Sequence, residues 1–543
     1  MCLFGFPGPS GNTEMSGFTR ALLFVLPVAT FAFGWAIFEE MRPIFNGIGA
    51  YDYDPAYTYL FNGLNILKFA TPGHVDHPGT PLQVLSGLII LAKWSTMHLL
   101  GFTNLGLTQS VLNNPEDYIA SVCFVLLLLN SVAVWFLGHR LFAATKSLLL
   151  ALVSQTTPFL FEILAPRLVY LSPEALLFGV TTLLLAVLVP EIFRTSNQDR
   201  SNGTNSAILA GMLCGVGLAV KITFLPVLSL LLVLRPARRF RYAVIALVIG
   251  LEVSLIPIFP AIAETLVWLL RAATQNGTGE VGFVDLGRVP QNLAILWSAF
   301  PLAFVSVFAL ALAFVCLAPR GKLSLTQRPQ LPYRTVSAVF LIAIIGQTAM
   351  VLKRFSIHYF IPTLPIALIG LCYLLWIVAD CNRFRPIGRM LPALGLAALI
   401  GHGSFLAVPN LEKFRAWRQA SNLEHAEISY ELAKHPNAIV IGTYRVWTQG
   451  FATMFGLIWT RNAHKEMAQE ILSDVFYYNK WRKKFADPVT GAWVEPSYIN
   501  SLIATDKPVL LLAPKDLDRS DFSLELLLET ERQNIFRVKR ILQ

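Results

Sequence analysis

Apolar runs separated by short charged or polar segments recur along the first three quarters of the chain. They fall near 18–38, 79–99, 118–138, 147–164, 173–190, 206–220, 222–234, 241–260, 291–318, 334–352, 359–379 and 388–408. A helix needs about 20 apolar residues to cross ~30 Å of hydrocarbon, and most of these runs reach that length. The run 79–99 is set apart: it carries Lys93 and His98 and opens on Thr80-Pro81, a helix-start signal. It is expected to lie on the outer surface as an amphipathic helix, which leaves about eleven spans with the N-terminus cytoplasmic and the C-terminus outside. The runs 206–220 and 222–234 are short, about 21 Å each at ~1.5 Å per residue. Their shared turn, Lys221-Ile222-Thr223, is expected to sit recessed in the membrane, where a lysine is costly without an anionic partner. From Pro409 the pattern turns soluble: a polar helix over Glu412–Lys434, a strand over Ala438–Tyr444 and a helix over Ala463–Phe485. Strands at Pro508–Ala513, Glu525–Thr530 and Ile535–Ile541 complete it.

Composition agrees with this reading. Of 543 residues, 55% are hydrophobic and 14% charged, against about 25% charged in soluble domains, and the mean hydropathy is +0.57. That excludes a soluble enzyme or a disordered scaffold. Long continuous runs exclude an outer-membrane barrel, whose signal is ten-residue alternation. The net charge of +10 comes from short clusters such as Arg235/Arg238/Arg239/Arg241, spaced between spans as the positive-inside rule requires, so nucleic acid is not a partner. Acids gather in the outer segments. The six cysteines lie at cytoplasmic positions (Cys2, Cys381) or inside apolar runs (Cys123, Cys214, Cys316, Cys372), so no outer disulfide is expected. The fold class is therefore an all-α polytopic membrane protein, with outer-face amphipathic helices and a C-terminal soluble α/β domain. Its boundaries are 1–408 for the membrane domain, including a first outer loop at 39–100, and 409–543 for the outer-side domain.

The candidate chemistry lies in the outer segments. The first loop contains Tyr51-Asp52-Tyr53-Asp54-Pro55, then a helix over Pro55–Lys68 with apolar residues on one face, then His74-Val75-Asp76-His77-Pro78-Gly79. Helix capping accounts for Asp54 before Pro55, and an interfacial aromatic belt accounts for Tyr51, Tyr53, Tyr57 and Tyr59. A carboxylate at this place also suits general-base work. In the second loop, Ser172-Pro173-Glu174 is a helix start with an acid to complement the dipole, while Arg167 stands on the outer side against the charge rule. A later outer turn holds Lys353, Arg354, His358 and Tyr359. Snorkelling explains such cations singly. Taken with Lys221 they form a set of donors suited to a lipid phosphate.

Four segments together resemble the GT-C class of membrane glycosyltransferases, in particular bacterial members allied to protein O-mannosyltransferases and the lipid A aminoarabinose transferase (glycosyltransferase 39/83-like). They are Asp54-Pro55-Ala56-Tyr57, Asp76-His77-Pro78-Gly79-Thr80-Pro81, Gly215-Val216-Gly217-Leu218-Ala219-Val220-Lys221 and His358-Tyr359-Phe360-Ile361-Pro362-Thr363-Leu364-Pro365. The resemblance spans about 18–408 in the family's order. It implies a polyprenyl-phosphate-linked sugar as donor and transfer with inversion at the periplasmic face of a bacterial inner membrane. The acceptor would be a glycan, a lipid or a protein. It also implies Asp54, or Asp52, as the acid at the acceptor, and Lys221, Lys353, Arg354 and His77 as phosphate donors. Asp76 matches a position that contacts phosphate or a divalent metal; no other cofactor is implied. The chain departs from the pattern where Pro55 follows Asp54, where His77 replaces a lysine, and where Glu174 either replaces an aspartate or leaves that role unfilled. A surface-glycan polymerase or ligase, or a lipid-linked sugar transporter, draws on the same carriers; no paired halves of the kind transporters show are visible in the sequence.

Overall fold

The computed structural model describes residues 16–45, 55–76, 79–193, 203–274, 286–316, 331–353, 355–380, 385–443, 449–461, 463–464, 475–479, 483–487, 492–505 and 507–542. Among them, eight helices are long and apolar enough to cross a membrane, or nine if one bent pair counts as a single span. The chain is a multi-pass membrane protein; the expected count of eleven spans is not confirmed, and two of the expected runs are broken. Run 147–164 is split at Thr156–Pro158 into helix Leu148–Gln155, a 3₁₀ turn Thr157–Phe159 and helix Leu164–Leu168, as a proline inside an apolar run dictates. Run 291–318 is bent by 99° between Val289–Ala299 and Pro301–Val315, again at a proline. Helix Thr80–Leu99, expected on the surface, qualifies by length and composition, with the lowest mean hydropathy of the eight, 1.2.

Contacts divide the chain into two units, and the division cuts inside helices Gly17–Phe45, Thr80–Leu99, Pro115–Thr145 and Arg385–Ala433. Unit 1 comprises Met1–Ala36, Val75–Pro81 and Phe124–Asn410. Two of its helices are central. Pro173–Ile192 and Ile357–Ala379 are 83% and 78% buried, whereas the span window Ala237–Thr274 is 22% buried. The outer helices display Ile245, Val248, Ile249, Val253, Leu266 and Leu270, a surface stable only against lipid.

Unit 2 comprises Ile37–His74, Leu82–Cys123 and Leu411–Gln543. Its seven-stranded sheet has the order β4-β3-β2-β1-β5-β7-β6, from β1 (Ile439–Thr443), β2 (Val475–Asn479), β3 (Lys484–Ala486), β4 (Trp493–Val494), β5 (Val509–Pro514), β6 (Phe522–Glu529) and β7 (Gln533–Ile541). β1 pairs in parallel with β2 and β5, and the remaining pairs are antiparallel. β5 is an unbroken apolar run because both its faces are covered. The expected helix over Ala463–Phe485 is corrected: Val475-Phe476-Tyr477-Tyr478 and Lys484-Phe485-Ala486 are strands, as aromatic and β-branched side chains favour.

First-loop helix Ala56–Leu67 is buried from Ala56 to Asn65 on every face, where one apolar face was expected. Tyr57 and Tyr59 are core residues rather than an interfacial belt: Tyr57 donates to the Glu116 carboxylate, and Tyr59 meets the edge of His74. Asn65 donates to the Thr460 carbonyl at 3.0 Å. Gly63 crosses helix Thr80–Leu99 so closely that a Cβ would stand 2.8 Å from the Gly87 nitrogen and 2.9 Å from the Gln83 carbonyl oxygen. Gly63→Ala is therefore expected to cost about 1–3 kcal/mol, read as a lowered thermal midpoint.

His464, buried in the same unit, has its pKa pushed down to about 4, chiefly by burial and then by the nearby Lys68. Its folded-state pKa lies below the ordinary 6.5, so it is neutral in the fold. The stability it permits is whole above pH 6.5 and is lost as pH falls towards 4, by up to about 3 kcal/mol. His464→Phe is expected to flatten this slope in thermal melts taken from pH 7 to 4.5.

Candidate active site

The site begins at a break in the membrane helices. Helix Gly203–Val220 ends at Val220, Lys221 is extended (φ −164, ψ 133), and a 3₁₀ helix runs over Ile222–Val233. Gly217 makes this possible: a Cβ there would lie 2.5 Å from the ring of Phe224, which folds back beneath the break. The two halves and the lysine between them lie where the sequence put them.

Lys221 is buried at 4% exposure, and its Nζ donates to Glu174 Oε1 at 2.7 Å. Glu174 occupies the first turn of the central helix Pro173–Ile192, begun by extended Ser172 and Pro173. The expected helix start is there, and the carboxylate serves the lysine as well as the helix dipole. The other central helix adds the remaining groups. Ser356 is extended and Ile357–Phe360 form a 3₁₀ turn ahead of helix Thr363–Asp380. This turn sets His358 Nε2 3.9 Å from Glu174 Oε1 and the Tyr359 ring centroid 3.7 Å from Lys221 Nζ. A cation over an aromatic face is stabilised by the ring quadrupole, so Lys221 is held between a carboxylate and a π face. His358 packs edge-on to Tyr359, and Ser356 Oγ lies 2.9 Å from His358 Nδ1. The field of Arg167, whose guanidinium lies over the Tyr170 ring at 5.6 Å, reaches both Glu174 and His358.

One supporting residue escaped the sequence reading. Gln347 is fully buried and donates to the Tyr359 carbonyl at 2.8 Å, fixing the turn. A glutamine inside the apolar run 334–352 was the available signal.

Other candidates lie elsewhere. Lys353 donates to the Ala273 carbonyl at 2.6 Å. Asp76 is partly buried beside Val75, whose carbonyl accepts from Thr265 Oγ1 at 3.1 Å and whose side chain packs on Ile258 and Ala261. Asp52, Asp54, His77 and Arg354 fall outside the described residues. Among the described residues, no group of three His, Cys, Asp or Glu side chains is placed to hold a metal ion.

The cluster gathers a buried ammonium, a carboxylate, an imidazole and an aromatic face at one end of two central membrane helices. An incoming anion can displace Glu174 as the partner of Lys221. No family model matches this sequence, and no curated protein matches it. Solved structures share its fold. The crystal structure of ArnT from Cupriavidus metallidurans bound to undecaprenyl phosphate superimposes with a TM-score of 0.56 at 12% identity, covering 96% of this chain and 98% of that one. The apo structure of the same protein gives 0.53 at 12% identity, with coverage of 94% and 97%. The fold is that of ArnT, the lipid A aminoarabinose transferase, which is a GT-C fold.

Proposed function

We propose that this protein is an integral-membrane glycosyltransferase that moves a hexosyl or pentosyl group from a polyprenyl-phosphate-linked donor to an acceptor at the periplasmic face of a bacterial inner membrane, with inversion. One observation carries the reading: a buried lysine, held by a carboxylate and an aromatic face at a helix break, in the fold of a protein crystallised with undecaprenyl phosphate.

The chemistry follows from charge. The acceptor oxygen attacks the anomeric carbon while the bond from that carbon to the phosphate oxygen breaks, and the electron pair leaves with the phosphate. A phosphodiester of charge −1 becomes a monoester approaching −2. Fixed cations aimed at the departing oxygen favour the transition state over the ground state. Lys221 takes that place, with Arg167 adding to the field and His358 offering a ring N–H as a hydrogen-bond donor. A carboxylate of the first outer loop, Asp54 or Asp52, accepts the acceptor's proton.

The test is transfer of radiolabelled sugar from a panel of polyprenyl-phosphate sugars to membrane extract by the purified full chain. One polyprenyl phosphate released for each sugar transferred is the expected result. No transfer from any donor, with the carriers returned intact, would sink the reading.

A further inference from the structure

A second cationic site lies in unit 1, well away from Lys221. Helices Gly17–Phe45 and Pro115–Thr145 border a cavity of about 260 Å³ lined by Arg20, Leu23, Phe24, Trp135 and His139. One wall is aromatic: Trp135 stacks on Phe24 at 5.2 Å and 20°, and His139 follows at 5.7 Å from Trp135. The donors around the cavity are unused. His139 Nδ1 is buried with no hydrogen-bond partner. Among the described residues, neither Arg20 nor His139 meets a carboxylate, and Arg140 adds its positive field to that of Arg20.

The position relative to the catalytic cluster follows from one contact. Arg140 Nε points to the Ala186 carbonyl at 3.4 Å, on the same helix as Glu174 and about 18 Å further along its axis. The cavity and the Lys221 cluster are therefore separate places in the unit. Phe24 is exposed at the cavity wall, and beyond the cavity the same two helices expose Val28, Leu128 and Val132, an apolar track leading away from the cations.

Cations at one end and a bare apolar track at the other match a single kind of ligand. We propose that this cavity binds the phosphodiester headgroup of an anionic glycerophospholipid, with Arg20 and His139 donating to the phosphate oxygens and the acyl chains lying along Val28, Leu128 and Val132. Basic pockets between membrane helices favour anionic headgroups for this reason, and guanidinium–phosphate contacts are charge-assisted. An interfacial belt of Trp and Arg would also place such residues near a helix end, but a belt selects no headgroup.

The experiment is native mass spectrometry of the full chain in detergent, titrated separately with phosphatidylglycerol, phosphatidylethanolamine and inorganic phosphate. One phosphatidylglycerol is expected to be retained, with roughly tenfold preference over phosphatidylethanolamine. The Arg20→Gln/His139→Gln double variant is expected to lose about tenfold of that retention, while Arg238→Gln, an exposed cation on another helix, keeps it. If the double variant does not purify, Arg20→Gln alone, on an exposed side chain, is expected to lose about threefold. Equal retention of the two lipids, unchanged retention in the variants, or binding of inorganic phosphate without lipid preference would each overturn the assignment.

Discussion

Lys221→Met is expected to abolish transfer and to destabilise the protein, and adding Glu174→Gln is expected to restore the stability without the transfer. The single substitution leaves the Glu174 carboxylate, 2% exposed, without the ammonium that lies 2.7 Å from it. Breaking a buried pair by removing one partner costs about 3–5 kcal/mol, whereas replacing both partners by neutral groups is often close to neutral. A thermal melt of the three proteins in the same detergent reads that part: wild type and double variant close together, Lys221→Met well below. The catalytic part does not recover, because both variants lack the Lys221 ammonium proposed to face the departing phosphate. Losing one such donor is worth about 10²–10³ in rate. Glu174→Gln alone separates the roles further. It frees Lys221 from its partner, so its transfer should suffer less than that of Lys221→Met. A double variant that regains transfer would show Lys221 to be a structural ion-pair partner and nothing more.

How far the sequence carried depended on whether a feature was local. The break at Lys221 was legible because a lysine between two short apolar runs admits few placements. The start of helix Pro173–Ile192 was legible for the same reason. What Glu174 does there was not, since its partner is 47 residues away and a helix start explains the acid without it. Tyr57 and Tyr59 read as a belt because their burial comes from residues distant in the chain, Glu116 for one and His74 for the other. β2 read as helix because its strand character is completed by parallel pairing with β1. The split of run 147–164, by contrast, had its signal in plain view at Pro158, and a count of apolar residues alone passed over it.

Asp54→Asn is expected to reduce transfer by about 10²–10⁴, the range for a lost general base at the acceptor hydroxyl, while Asp52→Asn keeps most of it. In the sequence, Asp54 stands immediately before Pro55 and the helix Ala56–Leu67. Asp52 lies two residues further upstream. The helix-capping explanation for Asp54 predicts something different: asparagine caps about as well as aspartate, so a purely structural role would leave both transfer and stability nearly unchanged on Asp54→Asn. If Asp54 is the base, the same substitution removes the proton acceptor altogether. Transfer and thermal midpoint measured on one preparation therefore decide between the two roles. Lost transfer with an unmoved midpoint marks Asp54 as the base. A loss confined to Asp52→Asn moves the role two residues upstream, and full activity in both variants removes the first-loop acids from the mechanism.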